Sequence, residues 1–190
     1  VIARGVGTTT LQVAVTNDLA LSLLEADMPS QSALVDVALE APSSSAEQDP
    51  YGVVLWPAAQ VVARALAELS LSDARVVELG AGTGLCALTA AARGPSVLAT
   101  DYRAEPLELL RASAEASSQA LGRPLVVKTR VFDIKSDEPL PAADVLVAAD
   151  LLYLQSTSEA LARRCIEALG TGGYRLALVG DCGRPGRAAF

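Results

Sequence analysis

Glycine residues at three alternate positions, Gly80, Gly82 and Gly84, lie between a short apolar segment and an alanine-rich segment. This order predicts a buried strand, a tight turn and a helix. Asp101 closes the next apolar run, which predicts a carboxylate at the end of the second strand. Glycine lets the backbone approach a ligand closely, and such a carboxylate can accept both hydroxyls of a ribose. The residues therefore predict a site for a nucleotide-like ligand.

The glycine spacing separates two classes of cofactor. Dinucleotide sites use G-x-G-x-x-G, in which the third glycine packs the helix on the strand around a pyrophosphate. Here the spacing is G-x-G-x-G, with Glu78 two residues before the first glycine. This pattern resembles motif I of the S-adenosylmethionine (SAM) methyltransferases. The alternative is a plain strand-to-helix turn, and the positions of Glu78 and Asp101 favour the cofactor interpretation.

Composition excludes several other kinds of site. The chain of 190 residues contains no histidine, so it has no imidazole base, histidine triad or histidine metal site. The formal net charge of −7 disfavours nonspecific binding to nucleic acid or to an anionic membrane. No apolar run approaches the roughly 20 residues needed to span a bilayer. We expect neither nucleic acid nor membrane as a partner.

The three cysteines, Cys86, Cys165 and Cys182, are far apart in the sequence. They lack the close pairing of a zinc site or a disulfide framework, so we expect no metal. Isolated cysteines are typical of a reducing compartment. We therefore expect a cytoplasmic protein, or an organellar one if residues precede Val1.

Strands and helices alternate from residue 74 onwards, which predicts right-handed crossovers and a parallel sheet of Rossmann-like type. We predict strands near 75–79, 96–100, 125–132, 143–149 and 174–180, and helices near 84–93, 105–121 and 157–169. The resemblance of the glycine turn to the SAM methyltransferases implies the strand order 3-2-1-4-5, counted within this sheet. Ligands bind at the carboxyl ends of such strands. Five acids fall at or near these ends: Glu78, Asp101, Asp133, Asp150 and Asp181.

The N-terminal region has a different pattern. Alternating apolar residues predict strands at 11–15 and 34–39, with a short helix over 18–26 between them. Residues 42–50 are rich in serine and proline, which predicts a connector. A helix is expected over 58–69, after Pro57.

These patterns predict an α/β domain over residues 51–190, preceded by a β-containing extension over residues 1–50. The chain ends just after the fifth predicted strand. The SAM methyltransferases that the glycine turn resembles have seven strands, so we expect that the sequence is truncated and that the fifth strand forms an uncovered edge.

Four segments occur in an order that is similar to a known family. They are residues 52–60, the glycine turn, residues 99–102 and the segment Ala149-Asp150-Leu151-Leu152-Tyr153. Together they resemble the seven-β-strand protein-lysine methyltransferases of methyltransferase family 16, from about Gly52 to Gly183. The resemblance implies SAM as the cofactor, S-adenosylhomocysteine as its product, and a protein substrate that presents a lysine.

The resemblance also implies roles for individual residues. Contact with SAM is implied for Trp56, Glu78, Gly80, Ala81, Gly82, Gly84, Asp101, Tyr102, Phe132, Asp133, Ile134 and Ala149. Asp150 and Tyr153 match the substrate-side motif. We expect Asp150 to accept hydrogen bonds from the incoming amine and Tyr153 to wall the channel. Ile134 departs from the family, which often has tryptophan at that position.

Several of these residues also have a purely structural interpretation. Trp56 could anchor the core, and Tyr153 could cover the core at the end of the fourth strand. Asp133 could cap a loop, and Glu78 could orient the glycine turn through backbone hydrogen bonds. For Asp181 we favour the structural interpretation.

Three functions are compatible with the sequence. We favour a SAM-dependent protein-lysine methyltransferase. A small-molecule N- or O-methyltransferase could use the same scaffold, because a fold does not choose its substrate. A non-catalytic interaction module that keeps the SAM-binding fold is the third.

Overall fold

The structure, a computed structural model, describes residues 6–40 and 50–190. The connector that we predict between Pro42 and Pro50 lies outside the described residues, except for Pro50. From residue 57 to residue 180, the described chain alternates helices and strands as the sequence predicts. In this region the predicted elements agree with the observed ones to within about two residues, as is usual for element ends.

A five-stranded parallel sheet forms the centre of the molecule, in the order β5-β4-β3-β6-β7. This confirms the predicted order 3-2-1-4-5. The strands are β3 (Arg75–Leu79), β4 (Ser96–Asp101), β5 (Val127–Val131), β6 (Val145–Ala149) and β7 (Leu176–Gly180). Strand β6 is entirely apolar, and β3 is buried from Val76 to Leu79, because helices cover both faces of the sheet.

Helices on the two faces divide the apolar core. The helices are α2 (Pro57–Glu68), α3 (Leu85–Arg93), α4 (Ala104–Leu121) and α5 (Gln155–Gly170). Val76 of β3 packs in a cluster with residues of α2, α3 and α4, whereas its neighbour Val77 packs with residues of α5. Successive side chains of β3 therefore enter opposite halves of the core. The helices pack on the faces of the sheet, and the cavity lies at the carboxyl ends of the strands.

The N-terminal region corrects two predictions. The strand predicted at 11–15 is confirmed as part of β1 (Thr8–Thr16), which pairs with β2 (Leu19–Ala26) in an antiparallel hairpin. The helix predicted over 18–26 is wrong, because that segment is β2. The strand predicted over 34–39 is also wrong, because it lies in helix α1 (Met28–Glu40).

Local hydrogen bonds explain both errors. Asn17 and Asp18 form a two-residue turn that returns the chain along β1, so strand pairing overrides the helical preference of leucine and alanine. At the start of α1, the Asp27 carboxylate accepts a hydrogen bond from the backbone N–H of Ser30 at 2.9 Å. Asp27 thus caps the helix, and the alternating residues that follow are helical.

The hairpin is attached to the rest of the chain through α4. Two serine hydroxyls of α4 accept hydrogen bonds from β2: Ser117 from the N–H of Ser22 at 3.0 Å, and Ser113 from that of Leu24 at 2.8 Å. Apolar residues of the hairpin also share a buried cluster with Leu85 and Leu88 of α3. The extension therefore packs into the same core as the sheet and its helices.

Candidate functional site

The carboxyl ends of the central strands surround a cavity of about 450 Å³. Its wall contains every predicted site residue except Gly84, namely Trp56, Glu78, Gly80, Ala81, Gly82, Asp101, Tyr102, Phe132, Asp133, Ile134, Ala149, Asp150 and Tyr153. The fold therefore brings together residues that are widely separated in the sequence, in the place where ligands of parallel α/β sheets bind.

The glycine turn brings main chain directly against the cavity. Gly80 and Gly82 have positive φ angles of 61° and 52°. A Cβ atom on Gly80 would lie 2.5 Å from Leu151 Cδ2, and one on Gly82 would lie 3.1 Å from the carbonyl oxygen of Gly52. Between them, Ala81 donates its N–H to the carbonyl of Thr100 at 2.8 Å. Side chains are thus excluded where a ligand would contact this turn.

Gly84 has a different role from the one that we expected. It precedes α3 with a φ angle of 86°, and a Cβ atom there would lie 2.3 Å from Leu110 Cγ. Gly84 is absent from the wall formed by the described residues. Glycine is required at this position for the close packing of α3 against α4. The glycines of the turn that line the cavity are Gly80 and Gly82.

Asp101 is a buried carboxylate at the end of β4, only 4% exposed. Its Oδ2 accepts a hydrogen bond from the N–H of Gly82 at 3.0 Å, and its Oδ1 accepts one from the N–H of Arg103 at 3.2 Å. Burial raises the pKa of Asp101 to about 6, against these hydrogen bonds, which lower it. Each carboxylate oxygen has about two acceptor positions, so capacity remains for donors of a ligand.

Glu78 is buried at the end of β3, and burial raises its pKa to about 8. Its Oε2 accepts a hydrogen bond from the N–H of Ala87 in the first turn of α3 at 2.8 Å. The carboxyl group thus joins β3 to α3 across the glycine turn. Glu78 also lines the cavity. The geometry favours the alternative in which this residue orients the turn, and a contact with cofactor stays a prediction.

The segment after β5 forms another part of the wall. Phe132 and Ile134 are buried, whereas Asp133 is exposed and accepts a hydrogen bond from the N–H of Lys135 at 2.8 Å. This contact matches the loop-capping interpretation of Asp133. Phe132 also donates its N–H to the carbonyl of Asp101 at 2.9 Å, so the segment begins beside that residue.

Asp150 follows β6 with a φ angle of 58°, the only non-glycine residue with a positive φ among those that the structure describes. Its Oδ2 accepts a hydrogen bond from the N–H of Ala58 at 2.7 Å. Its Oδ1 accepts bonds from Cys182 Sγ at 3.0 Å and from Arg184 Nε at 3.2 Å. The carboxylate therefore joins the start of α2, the end of β6 and the segment after β7.

An aromatic and cationic stack lies beside Asp150. Trp56 donates its indole N–H to the carbonyl of Tyr51 at 2.9 Å, and the two rings meet edge to face with centroids 5.9 Å apart. The guanidinium of Arg184 lies 4.5 Å from the Trp56 ring, in cation–π geometry. Trp56 is half-buried and exposed to the cavity, so it is more than a core anchor.

Some lining residues are missing from our predicted set, chiefly Tyr51, Gly52, Thr157, Lys135 and Arg184. The signal that could have found Arg184 is its position four residues after the fifth predicted strand, at the edge of the sheet where the cavity lies. The remaining predicted residues, Ala149, Tyr102 and Tyr153, line the cavity as partly exposed side chains.

The cavity thus combines an exposed main-chain turn, the buried carboxylate of Asp101 with its spare acceptor capacity, and aromatic and aliphatic walls. These features suit a ligand with hydroxyl donors and a flat apolar base. In the part of the chain that is described, no helix has both the length and the apolar character required to cross a membrane.

Comparison with known proteins gives the family. The sequence profile of a lysine methyltransferase family matches residues 38–175, which is more than half of the chain. The chain belongs to this lysine methyltransferase family. The matched region includes β3 to β6, the glycine turn, Asp101 and Asp150. It therefore contains most of the residues that line the cavity.

Several named proteins are similar to part of this chain. Protein-lysine methyltransferase METTL21E of Bos taurus is 34% identical over 60% of this chain and 42% of its own length. Protein N-lysine methyltransferase METTL21A of Danio rerio is 37% identical over 57% of this chain and 51% of its own. Histone-arginine methyltransferase METTL23 of Xenopus laevis is 33% identical over 54% of this chain and 45% of its own length. The chain spans about half the length of these relatives.

Proposed function

We propose that this lysine methyltransferase family member binds SAM in the cavity and transfers its methyl group to a lysine of a protein substrate. The observation that carries the proposal is Asp101, a buried carboxylate that stands at the end of the second strand of the sheet and lines the cavity beside the glycine turn. The names of the lysine-methylating relatives support the acceptor.

The residues present fit SAM. Asp101 offers acceptor positions for two ribose hydroxyls. Gly80 and Gly82 line the cavity with main chain, and a Cβ atom there would meet Leu151 or the carbonyl of Gly52. The apolar residues Phe132 and Ile134 lie on the Asp101 side, where they would flank an adenine. A cavity of about 450 Å³ has a suitable size for a ligand of this class.

Bound SAM would supply a methyl group on a positively charged sulfur atom, a good leaving group. The protein must then present an uncharged amine in line with that methyl group. A lysine of ordinary pKa, about 10.4, is deprotonated near pH 7 at a cost of about 4–5 kcal/mol. Burial of the amine among Leu151, Tyr153 and Leu154 would lower its pKa and reduce this cost. The chain has no histidine, so we propose that the proton leaves through water.

Asp150 and Tyr153 belong to the acceptor side of the proposal. Our prediction that Asp150 accepts the incoming amine stays a prediction, and its three protein donors favour another contribution. By holding the start of α2 and Arg184, the carboxylate fixes Trp56 at the cavity wall. We propose Asp150 as a residue that positions this wall, and Tyr153 as part of the channel.

The acceptor is the least constrained part of the proposal. One relative is named for histone-arginine methylation, so arginine of a protein is a second candidate acceptor. Neither Asp150 nor Tyr153 distinguishes an ammonium from a guanidinium by charge.

Labelling of a lysate with tritiated SAM, followed by gel separation and amino-acid analysis, tests the proposal. Label in methyl-lysine of a discrete protein band is expected. Label in methyl-arginine would support the second candidate, and label confined to small molecules would indicate a small-molecule methyltransferase. No label with a binding-competent protein would indicate a non-catalytic module. The Asp101→Ala variant is the matched control and should give no label.

We further propose residues 51–190 as the SAM-binding domain and residues 1–50 as its extension. The shared core of the hairpin and α3 supports an extension that folds with this domain. Free thiols at Cys86, Cys165 and Cys182 support our prediction of a cytoplasmic location.

A further inference from the structure

Arg164 is a charged residue of α5 that is only 6% exposed, although it lies outside the cavity wall described above. Burial of an arginine is costly unless its donors are satisfied. Its Nε donates to the carbonyl of Ile134 at 2.9 Å and its Nη2 to the carbonyl of Ser136 at 2.6 Å. Its Nη1 forms a 2.6 Å ion pair with Glu167 Oε2, one helical turn away. All three nitrogens are thus engaged, two of them with the segment after β5.

Glu167 extends the same network to the far end of this segment. Its second carboxylate oxygen, Oε1, accepts a hydrogen bond from the N–H of Leu140 at 2.7 Å. The guanidinium of Arg164 also lies 5.1 Å from the centroid of the Phe132 ring. One ion pair on α5 therefore contacts the loop 132–140 at its beginning, in its middle and at its end.

The loop 132–140 carries four consecutive residues of the cavity wall: Phe132, Asp133, Ile134 and Lys135. It begins next to Asp101, whose carbonyl accepts the N–H of Phe132. A ribose held by Asp101 would place its base toward this loop, because β5 is the strand that follows β4 in the sheet. The position of the loop would then determine the fit of the base.

We propose that the Arg164–Glu167 pair is a positioning device that holds the loop 132–140 as the base-side wall of the cavity, and so sets the affinity for the adenosine part of the cofactor. This inference rests on the proposed function. Neither residue touches the cavity, so both act through the main chain of the loop. Arginine is suited to this role because its planar fork reaches several carbonyls at once, whereas lysine presents a single point charge.

Calorimetry with S-adenosylhomocysteine tests this proposal. Arg164→Gln should weaken binding by about tenfold or more, and Glu167→Gln by about threefold, because its amide oxygen can still accept from Leu140. Arg163→Gln, an exposed arginine of the same helix, is the matched control and should bind as the wild type does. Methylthioadenosine, which has the adenosine but not the amino-acid part, should lose affinity by the same factor.

Two readouts separate positioning from general destabilisation. Hydrogen exchange of the ligand-free Arg164→Gln protein should increase in residues 132–140 and stay unchanged in β3 and β4. With an active preparation, the KM for SAM should rise while kcat at saturation is unchanged. If Arg164→Gln does not fold, Arg164→Lys takes its place and should show the same pattern to a smaller degree.

Affinities of the Arg164 variants within about twofold of Arg163→Gln would overturn the inference. The inference would also be overturned if the Arg164 variants lowered kcat and left the KM for SAM unchanged. A wild-type protein that binds no S-adenosylhomocysteine would instead contradict the proposed function itself. The two failures are therefore distinguishable in one series of titrations.

Discussion

Asp101 ends β4 and Asp150 follows β6, on the two sides of β3 in the sheet. They are almost equally buried, at 4% and 5% exposure, but their partners differ. Asp101 accepts hydrogen bonds from two backbone N–H groups, one on each oxygen. Asp150 accepts from a backbone N–H, a thiol and a guanidinium that belong to α2 and to the segment after β7. The Asp101 carboxylate can therefore still accept hydrogen bonds from a ligand, whereas the Asp150 carboxylate connects three parts of the protein. Loss of Asp101 should affect binding, and loss of Asp150 should affect stability.

Asp150→Ala gives the largest expected change in stability. Its removal takes the ion-pair partner from the guanidinium of Arg184 and leaves the N–H of Ala58 without an acceptor. We expect the free energy of unfolding to fall by about 3 kcal/mol, at the low end for a broken buried pair because Arg184 is partly exposed. Urea denaturation measures this, with Asp101→Ala as the comparison. An equal or larger loss for Asp101→Ala would break the distinction between the two residues.

Gly80→Ala tests the glycine turn after β3, the strand that lies between those of Asp101 and Asp150. The substitution adds left-handed strain and pushes Leu151 aside, because the new Cβ atom would lie 2.5 Å from Leu151 Cδ2. We expect a loss of about 2–3 kcal/mol of unfolding free energy. Gly122→Ala is the matched control, since Gly122 has a similar φ angle of 64° with open space around it. That variant should lose about 1 kcal/mol. Equal losses of unfolding free energy in the two variants would mean that Leu151 moves aside without an energetic penalty.

The pH dependence of binding tests the role of Asp101, whose pKa is about 6 in the ligand-free protein. Ribose hydroxyls donate to the ionised carboxylate, so affinity should rise as the pH increases through this value and then become constant. Between about pH 5 and pH 7, we expect S-adenosylhomocysteine to bind about tenfold more tightly. Asp101→Asn should remove this dependence. A pH dependence that persists in Asp101→Asn would assign it to another group, such as Glu78.

The same raised pKa has the opposite consequence for folding. In the unfolded chain Asp101 ionises near its ordinary value of 3.8, so between that pH and about 6 the folded state holds a proton that the unfolded state has lost. Stability without ligand should therefore fall as the pH rises through this window. Binding and stability thus change in opposite directions with pH, and denaturation in the presence of ligand should show the difference.

Cys182→Ala gives the smallest expected effect. The thiol is a weak donor on an exposed residue, although its Sγ lies 3.0 Å from Asp150. We expect a loss of about 0.5 kcal/mol, because Ala58 and Arg184 still satisfy the carboxylate. Thermal unfolding is adequate to measure it. A loss as large as that of Asp150→Ala would make the thiol, rather than the guanidinium, the main partner.

The sheet was predictable because each of its signals is local. Apolar runs, helical segments and terminal glycines specify β3 to β7, and the resemblance to the SAM methyltransferases implied their order. The hairpin was not predictable in the same way. The leucine-rich segment 19–26 becomes a strand by pairing with β1, and Asp27 starts a helix where alternation of residues 34–39 indicates a strand. Pairing with the adjacent strand and one capping side chain decide these segments.

The site was predictable in position but less so in the role of each residue. Strand ends locate Asp101 and Asp150, but the sequence does not show that Arg184 and Cys182 return to Asp150. It also does not show that Gly84 faces Leu110 instead of the cavity. These facts depend on contacts between distant segments, which the spacing of residues within a motif does not encode.

The central claim is that the cavity holds SAM with its ribose on Asp101. Calorimetric titration of S-adenosylhomocysteine into the wild type, Asp101→Ala and Asp150→Ala tests it most directly. We predict one site in the wild type and a loss of about 3 kcal/mol or more in Asp101→Ala, because two charge-assisted hydrogen bonds disappear. Asp150→Ala should retain most of the affinity under conditions where it is folded. Unchanged affinity in folded Asp101→Ala would contradict the claim.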